Sequence, residues 1–491
     1  MASLKERTIG SLFWKLFEQG GSAAITLIVQ IVMARILAPD EFGMLAIMLV
    51  FVNVGNVVVQ SGLNTAVIQA PDVTECDFST VFWMSFAVSL VLYALVFAFA
   101  PVVAAFYGMP GIIAPLRVLV LILIVNSYNA IQEAIVARRL EFYKTFRSTV
   151  SAAVVSGSIG IGVALVGGGI WALVIQQLLY QLCKCIVLAL QVPWKPHLVF
   201  ERDRARHLFR FGWKLLASGL LDQLYQSLSD LIIGKLFDST QLGFVSQGKK
   251  YPQALGTVLD GAVQPVMLSA VAHVQDDHAR VRRLVRRALK TSTYFIMPAM
   301  TLFAVAADPI VRLLLGDKWA ACVPFLQVYC FVYALLPIHS TNLQAFNGVG
   351  RSDLFLKLEI VKKIIGLAII CFTAFVLHDL TAIVYGYAVS GVICTFVNAS
   401  PSKRVLGYAY TEQLRDIAPA FILSLVCGAC VYPIILLGLP APLTILAQCA
   451  AMMALYLVLS KLFHVEELSY LLDTLKGMAR RRRGADTSAG V

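Results

Sequence analysis

The chain reads as an all-α membrane protein of about 14 transmembrane helices, with two parallel-related six-helix lobes around a central cavity plus two C-terminal helices. Three observations predict this. Of 491 residues, 59% are hydrophobic and only 14% charged, with a mean hydropathy of +0.79, whereas soluble globular chains are about 25% charged. Apolar runs of twenty or more residues recur along the whole length, and each can cross a hydrocarbon layer ~30 Å thick. The text also repeats itself at an offset near 200 residues.

The opening "MASLKER" is charged, and the segment Ser11 to Ala38 behind it is too long for the apolar core of a signal peptide and has no small-residue cleavage site. It is expected to stay as the first spanning helix. Segments at 42–69, 78–106, 112–137, 148–167 and 170–192 complete a first set of six. Those at 208–237, 242–272, 290–315, 320–346, 354–377 and 380–400 form a second set, and two more run over 414–438 and 441–463. The expected divisions are therefore an N-lobe at 1–196, a C-lobe at 197–406, the last two helices at 407–465 and a basic cytoplasmic tail at 466–491.

Alternate connections are rich in Lys and Arg: "ARRLEFYKTFR" at 137–147, "ERDRARHLFR" at 201–210 and "ARVRRLVRRALK" at 279–290, then Arg351, Lys403 and Arg404. The positive-inside rule places these loops, and both termini, in the cytoplasm. The intervening loops are short and nearly uncharged, so no sizeable extramembrane domain is expected. Arg480 to Arg483 in the tail either act as an orientation signal or favour an anionic leaflet by roughly 1 kcal/mol per charge. The net charge of +12 is thus mostly topology and argues against nucleic acid as a partner. Cys183/Cys185 and Cys427/Cys430 lie in apolar segments without acidic or histidine neighbours and read as packing residues, not as a metal site.

The repeat pairs "FWKL" at 13–16 with "GWKL" at 212–215, "ARILAPDEFG" at 34–43 with "GKLFDSTQLG" at 234–243, and "WALV" at 171–174 with "TAIV" at 381–384. Six helices per repeat is an even number, so the halves are expected to be related by an axis along the membrane normal.

Polar residues concentrate on four segments. Lys15, Glu18, Ser22, Thr26 and Gln30 follow one another at helical spacing in the first, and Lys214, Ser218, Asp222, Gln226 and Asp230 do so in the seventh. A four-residue step drifts only ~40° around a helix, so each set makes one stripe. The second carries Asn53, Asn56, Gln60 and Asn64; the eighth carries Gln253, Thr257, Asp260 and Gln264. The third, ninth, thirteenth and fourteenth segments are apolar around their circumference, as lipid-facing or packing helices should be. Charges in a bilayer cost about 2.5 to 3.5 kcal/mol each, so they face either a wet cavity or a partner; the alternative for the polar groups is hydrogen bonding between helices. Lys249 and Lys250 lie some eight residues into the eighth segment, which is ~12 Å along a helix. Either they snorkel, with Pro252 marking a later helix start, or they form a pair of flexible point charges suited to a diphosphate.

"MARILAPDEFG" at 33–43, "IIGKLFDSTQLGFVSQGKKYPQAL" at 232–255 and "ARRLEFYKTF" at 137–146 resemble the Wzx-type polysaccharide-biosynthesis flippases of the multidrug/oligosaccharidyl-lipid/polysaccharide exporter superfamily, in the colanic-acid and exopolysaccharide exporter branch. The resemblance runs from Leu4 to about His464. It implies two six-helix lobes around a V-shaped cavity lined by the first, second, seventh and eighth helices. It also implies alternating-access flipping of undecaprenyl-diphosphate-linked oligosaccharide across the bacterial inner membrane, for exopolysaccharide or lipopolysaccharide synthesis. On that reading Lys15, Lys214, Lys249 and Lys250 hold the diphosphate, and Asn53, Asn56, Gln60, Gln226, Gln253 and Gln264 meet sugar hydroxyls. The prenyl tail stays in lipid. The partners implied are the lipid-linked oligosaccharide, membrane lipids, a polysaccharide polymerase and chain-length co-polymerase proteins.

No phosphate-binding glycine loop is present, so ATP hydrolysis is not expected of this chain, nor is any cofactor. Ion coupling would fall to Glu18, Asp222, Asp230 or Asp260; His339 is either a further coupling group or a packed, hydrogen-bonded residue. Two rivals remain at this level. A multidrug antiporter of the same fold would use those four acids, which the four lysines match in number. A membrane-embedded glycosyltransferase or polymerase would need an aqueous loop or an acidic metal cluster, and neither is evident in the sequence.

Overall fold

The computed structural model describes residues 20–22, 24–69, 74–274 and 277–469. Every regular element among them is helical. The chain divides into two compact units, Met1–Gln247 and Gly248–Val491. The first holds α1 (Gly20–Ile36), α2 (Pro39–Gln69), α3 (Glu75–Tyr107), α4 (Ile113–Leu119), α5 (Leu121–Arg139), α6 (Phe142–Leu165), α7 (Ile170–Gln191) and α8 (Arg202–Leu236). Helix α9 (Ser239–Ala272) begins in the first unit and continues into the second. There follow α10 (His278–Val305), α11 (Ala307–Leu314), α12 (Val323–Ala334), α13 (Leu336–Gly348) and α14 (Ser352–Phe372). The last four are α15 (Leu380–Ala399), α16 (Ser402–Leu406), α17 (Tyr410–Val431) and α18 (Ala441–Leu462).

This is a multi-pass membrane protein. Among the described residues ten helices are long and apolar enough to span a bilayer, or eleven when α10 and α11, bent by 65° between them, count as one. The number fourteen is therefore not reached by apolarity alone. Those that fall short carry the polar stripes: α8 and α9, at 35 and 34 residues, have ample length but too many polar side chains, and the beginning of the first predicted segment lies outside the described residues. Helix α3 is the opposite case. Leu90, Val91, Leu95, Phe97, Phe99 and Val102 along it are all exposed, as a flank facing hydrocarbon chains requires. Pro101 inside α3 has no N–H to offer the carbonyl four residues back. Arg117 of α4 donates its Nε–H to that carbonyl, Phe97 O, at 3.1 Å and stacks 4.2 Å from the Phe97 ring.

The sequence repeat has a physical counterpart where α2 and α9 begin. A Cβ added to Gly43 would lie 1.7 Å from Ser239 O, and one added to Gly243 would lie 2.0 Å from Pro39 O. Each contact is the other displaced by the repeat offset, which is the reciprocity a local two-fold axis generates. Both motif glycines are needed because two backbones meet there and no side chain fits between them. The same stretch caps both helices, with Ala38 N–H donating to Glu41 Oε2 at 2.8 Å and Gln241 N–H to Asp238 Oδ1 at 2.7 Å.

The segment between α7 and α8 is strapped to α3 and α5. Trp83 Nε1–H donates to His197 O at 2.8 Å and Tyr128 Oη–H to Trp194 O at 3.0 Å, and Arg204 in the first turn of α8 pairs with Asp77 at 2.7 Å. Phe78, Phe82, Tyr128 and Trp194 pack edge-on around this strap. In the second unit α10 is clamped to α17. Arg286 grips Asp416 with two bonds of 2.7 Å, Tyr408 adds a third at 2.7 Å, and Arg282 reaches Glu412 at 2.8 Å. Lys290 lies 2.6 Å from Glu466 and holds that carboxyl below its ordinary range.

Candidate functional site

Helix α9 is continuous from Ser239 through Pro252, so the later start that Pro252 could have marked does not occur. Lys249 therefore stands ten residues along the helix, about 15 Å at 1.5 Å per residue. Gly248 and Gly256 pack against α12 and the residues just before it, facing Phe325 and Tyr333. Lys249 and Lys250 are both half-buried, and among the described residues neither has a carboxylate within ion-pair distance. At 100° per residue, Lys249, Gln253, Asp260 and Gln264 fall within about 60° of arc, with Lys250 about 100° beyond Lys249.

The far end of that stripe is not open. Asp260, 4% exposed, accepts from Ser340 Oγ–H of α13 on one oxygen and from Gln264 Nε2–H on the other. Gln264 Oε1 in turn accepts from Gln344 Nε2–H at 3.2 Å. Positions 260 and 264 thus face 340 and 344, so α9 and α13 run in the same direction, in step. The first unit has the matching clasp. Asn126 Nδ2–H of α5 donates to Asn56 Oδ1 of α2 at 2.8 Å, with Gly55 against the Leu123 side chain. Asn129 extends this to the Gln181 carbonyl of α7 at 3.3 Å. In each repeat the second helix is tied to the fourth by buried polar groups.

The other candidates fall into three groups. Lys15 and Glu18 lie outside the described residues, and so do the side chains of Lys214 and Asn64. Asn53 is exposed, while Gln60, Gln253 and the α1 residues Ser22, Thr26 and Gln30 are half-buried. On α8, exposed Gln226 donates to half-buried Asp222 one turn earlier at 2.7 Å, and Asp230 accepts from Ser229 Oγ–H at 3.4 Å. His339 is hydrogen-bonded, its Nδ1 lying 3.0 Å from Asn398 Nδ2. Among the described residues no cluster of three or more His, Cys, Asp or Glu has the arrangement to hold a metal ion.

Sequence reading missed the partners: Asn126 and Asn129 on α5, Ser340 and Gln344 on α13. Their signal was present, since each pair is spaced by three or four residues within an apolar segment. Spacing alone does not say which neighbouring stripe such a pair will meet.

Residues 32–324, more than half of the chain, match the family described as polysaccharide biosynthesis protein. The chain is 23% identical over 434 residues to lipopolysaccharide biosynthesis protein WzxC of Escherichia coli (strain K12), covering 86% of each sequence. It is 25% identical over 339 residues to succinoglycan biosynthesis transport protein ExoT of Rhizobium meliloti (strain 1021), covering 69% of this chain and 68% of that one. Among solved structures, the lipid II flippase MurJ in its inward closed conformation shares the fold, with a TM-score of 0.72 at 13% identity, over 93% of this chain and 99% of that chain.

Proposed function

The chain belongs to the polysaccharide biosynthesis protein family, and from that premise we propose that it is a flippase that carries an undecaprenyl-diphosphate-linked oligosaccharide from the cytoplasmic to the periplasmic leaflet of a bacterial inner membrane. It acts as a transporter, not an enzyme, and moves its cargo by alternating access. The observation that carries this reading is the Lys249–Lys250 pair: two half-buried ammonium groups well along a helix, without a carboxylate partner among the described residues. Buried charge normally comes with an opposite charge, because an isolated ion loses its hydration without compensation. A diphosphate supplies that opposite charge. Lysine suits it as a mobile point charge that follows the phosphates through a conformational change.

The relatives' names support the cargo class, since two of them carry polysaccharide products in their titles and one is called a transport protein. The amides are divided by their surroundings. Asn53, Gln60, Gln226 and Gln253 are exposed or half-buried residues available to sugar hydroxyls, Gln226 through its oxygen because its amide N–H donates to Asp222, while Asn56 and Gln264 are committed to interhelical bonds. Among the acids Asp260 is the coupling candidate with the most enclosed setting, because its carboxylate is buried and meets only neutral donors.

The test is polymer export in a strain whose own copy is deleted. Lys249→Gln with Lys250→Gln is expected to leave the protein in the membrane at its usual amount and to stop export, with lipid-linked precursor accumulating on the cytoplasmic side. Normal export by that double variant would remove the lysines from the mechanism.

A further inference from the structure

The first unit contains a cleft that the polar stripes do not use. It lies between α2, α3 and α8, holds about 440 Å³, and is walled by Val54 and Val58 of α2, Val96 and Phe106 of α3, and Leu224 and Leu231 of α8. No charged or amide side chain lines it. The cleft is turned away from the stripes. At 100° per residue, Leu224 and Leu231 stand about 160° to 180° around α8 from Asp222, and Val54 and Val58 about 100° to 140° around α2 from Asn53. Phe106 and Leu224 are exposed, so the cleft opens at the surface. Along α3 its lining runs from Leu92 to Tyr107, about 22 Å at 1.5 Å per residue. Beside the Tyr107 end is Lys235, one turn beyond Leu231 and on the same face of α8. Its Nζ donates to Phe106 O, a carbonyl in the last turn of α3, at 2.6 Å and lies 4.2 Å from the Phe106 ring. Lys235 is exposed and has no carboxylate within ion-pair distance among the described residues. An ammonium carries three N–H groups, so two are left for an anion.

We propose that this cleft is the seat from which flipped cargo leaves the protein, with the polyisoprenyl chain in the trough and the diphosphate on Lys235. The proposal rests on the flippase reading above and adds a second site to it. Helix α8 begins in the basic stretch at 201–210 that the positive-inside rule assigns to the cytoplasm, so Lys235, next to its other end, belongs to the periplasmic leaflet. Length selects the occupant. A trough of about 22 Å passes the ~15 Å half-thickness of the hydrocarbon core, which is where the acyl chains of a phospholipid meet those of the opposite leaflet. A polyisoprenyl chain continues past that plane and fills the remainder. Charge agrees with length, since the rim offers a cation to a diphosphate. Because the trough is on the back of helices whose fronts carry the stripes, a departing chain does not compete with sugars held at Asn53 or Gln226.

The experiment uses the full chain in proteoliposomes and two lipids with a photoreactive diazirine in the chain, a polyisoprenyl diphosphate and a phosphatidylglycerol, the labelled peptides being mapped by mass spectrometry. The polyisoprenyl diphosphate is expected to label residues 92–107 and 224–231 in preference to the phosphatidylglycerol. Lys235→Gln, a change at an exposed side chain, is expected to weaken that labelling roughly fivefold, the value of one interfacial charge, and to leave labelling by a neutral polyisoprenol as in the parent. Leu224→Trp, which fills the trough without touching a charge, is expected to lower labelling by both isoprenoids. Equal labelling by the phospholipid, or a Lys235→Gln protein that is labelled as the parent is, would overturn the seat. The Lys249→Gln, Lys250→Gln variant separates this seat from the transport path. Trough labelling in the parent together with normal export by that variant would keep the seat and sink the path through those lysines. Blocked export by that variant, with no trough labelling in the parent, would overturn the seat alone.

Discussion

The two ends of α9 carry the same kind of residue in different company. At Asp260 and Gln264 every polar atom of the carboxylate has a donor from α13 or from the helix itself. At Lys249 and Lys250, eleven residues before Asp260 in the case of Lys249 and so about 16 Å along the axis, the ammonium groups have no such partner among the described residues. On the proposed reading one stripe does two jobs. Its far end fastens helices, and its near end is kept available for an anion.

That contrast can be broken at either end, and the largest effect is expected at the lysines. Lys249→Gln with Lys250→Gln should abolish export while leaving the melting temperature of the purified protein within a degree or two, since no bond among the described residues is lost. A matching loss of stability would make the lysines structural and collapse the distinction. Next, Asp260→Ala should lower stability by about 1.5 to 3 kcal/mol, the usual range for hydrogen bonds to a charged group. Ser340→Ala should remove part of the same energy, and the double variant less than the sum. Additive losses would mean that the two side chains do not act on each other.

How much of this was legible beforehand follows from what each helix does. Helix α3 announces itself through unbroken apolarity, because lipid asks nothing more specific of it. Helices α8 and α9 read as apolar segments although their polar side chains keep them below that criterion, and the repeat pairs them with the first two; its glycines, Gly43 and Gly243, are fixed by a reciprocal backbone contact. The stripe on α9 could be read from spacing, but its division could not. That division depends on Ser340 and Gln344, eighty residues away in the chain, and on the lack of a comparable partner for Lys249 among the described residues. His339 shows the same limit: as a lone histidine it could have been a coupling group, and Asn398, which engages it, is visible only in three dimensions.

The first unit sharpens the comparison at smaller amplitude. Asn56→Ala and Asn126→Ala should each cost about 0.6 kcal/mol, the mean measured for interhelical hydrogen bonds in membranes, and the pair should again be less than additive. Asn53→Ala, one turn earlier on α2 and exposed, should leave thermal stability unchanged and lower only the export rate. If Asn53→Ala destabilised the protein as much as Asn56→Ala, exposure would not be separating working residues from fastening ones.

The most direct measurement is the affinity of the purified protein for a polyisoprenyl diphosphate, compared between the parent and the Lys249→Gln, Lys250→Gln variant at fixed ionic strength. A drop of at least about tenfold, or ~1.4 kcal/mol, is predicted, and it should shrink when the diphosphate is replaced by a neutral polyisoprenol. Equal affinity of parent and variant for the diphosphate would contradict the assignment of these lysines to an anionic lipid head.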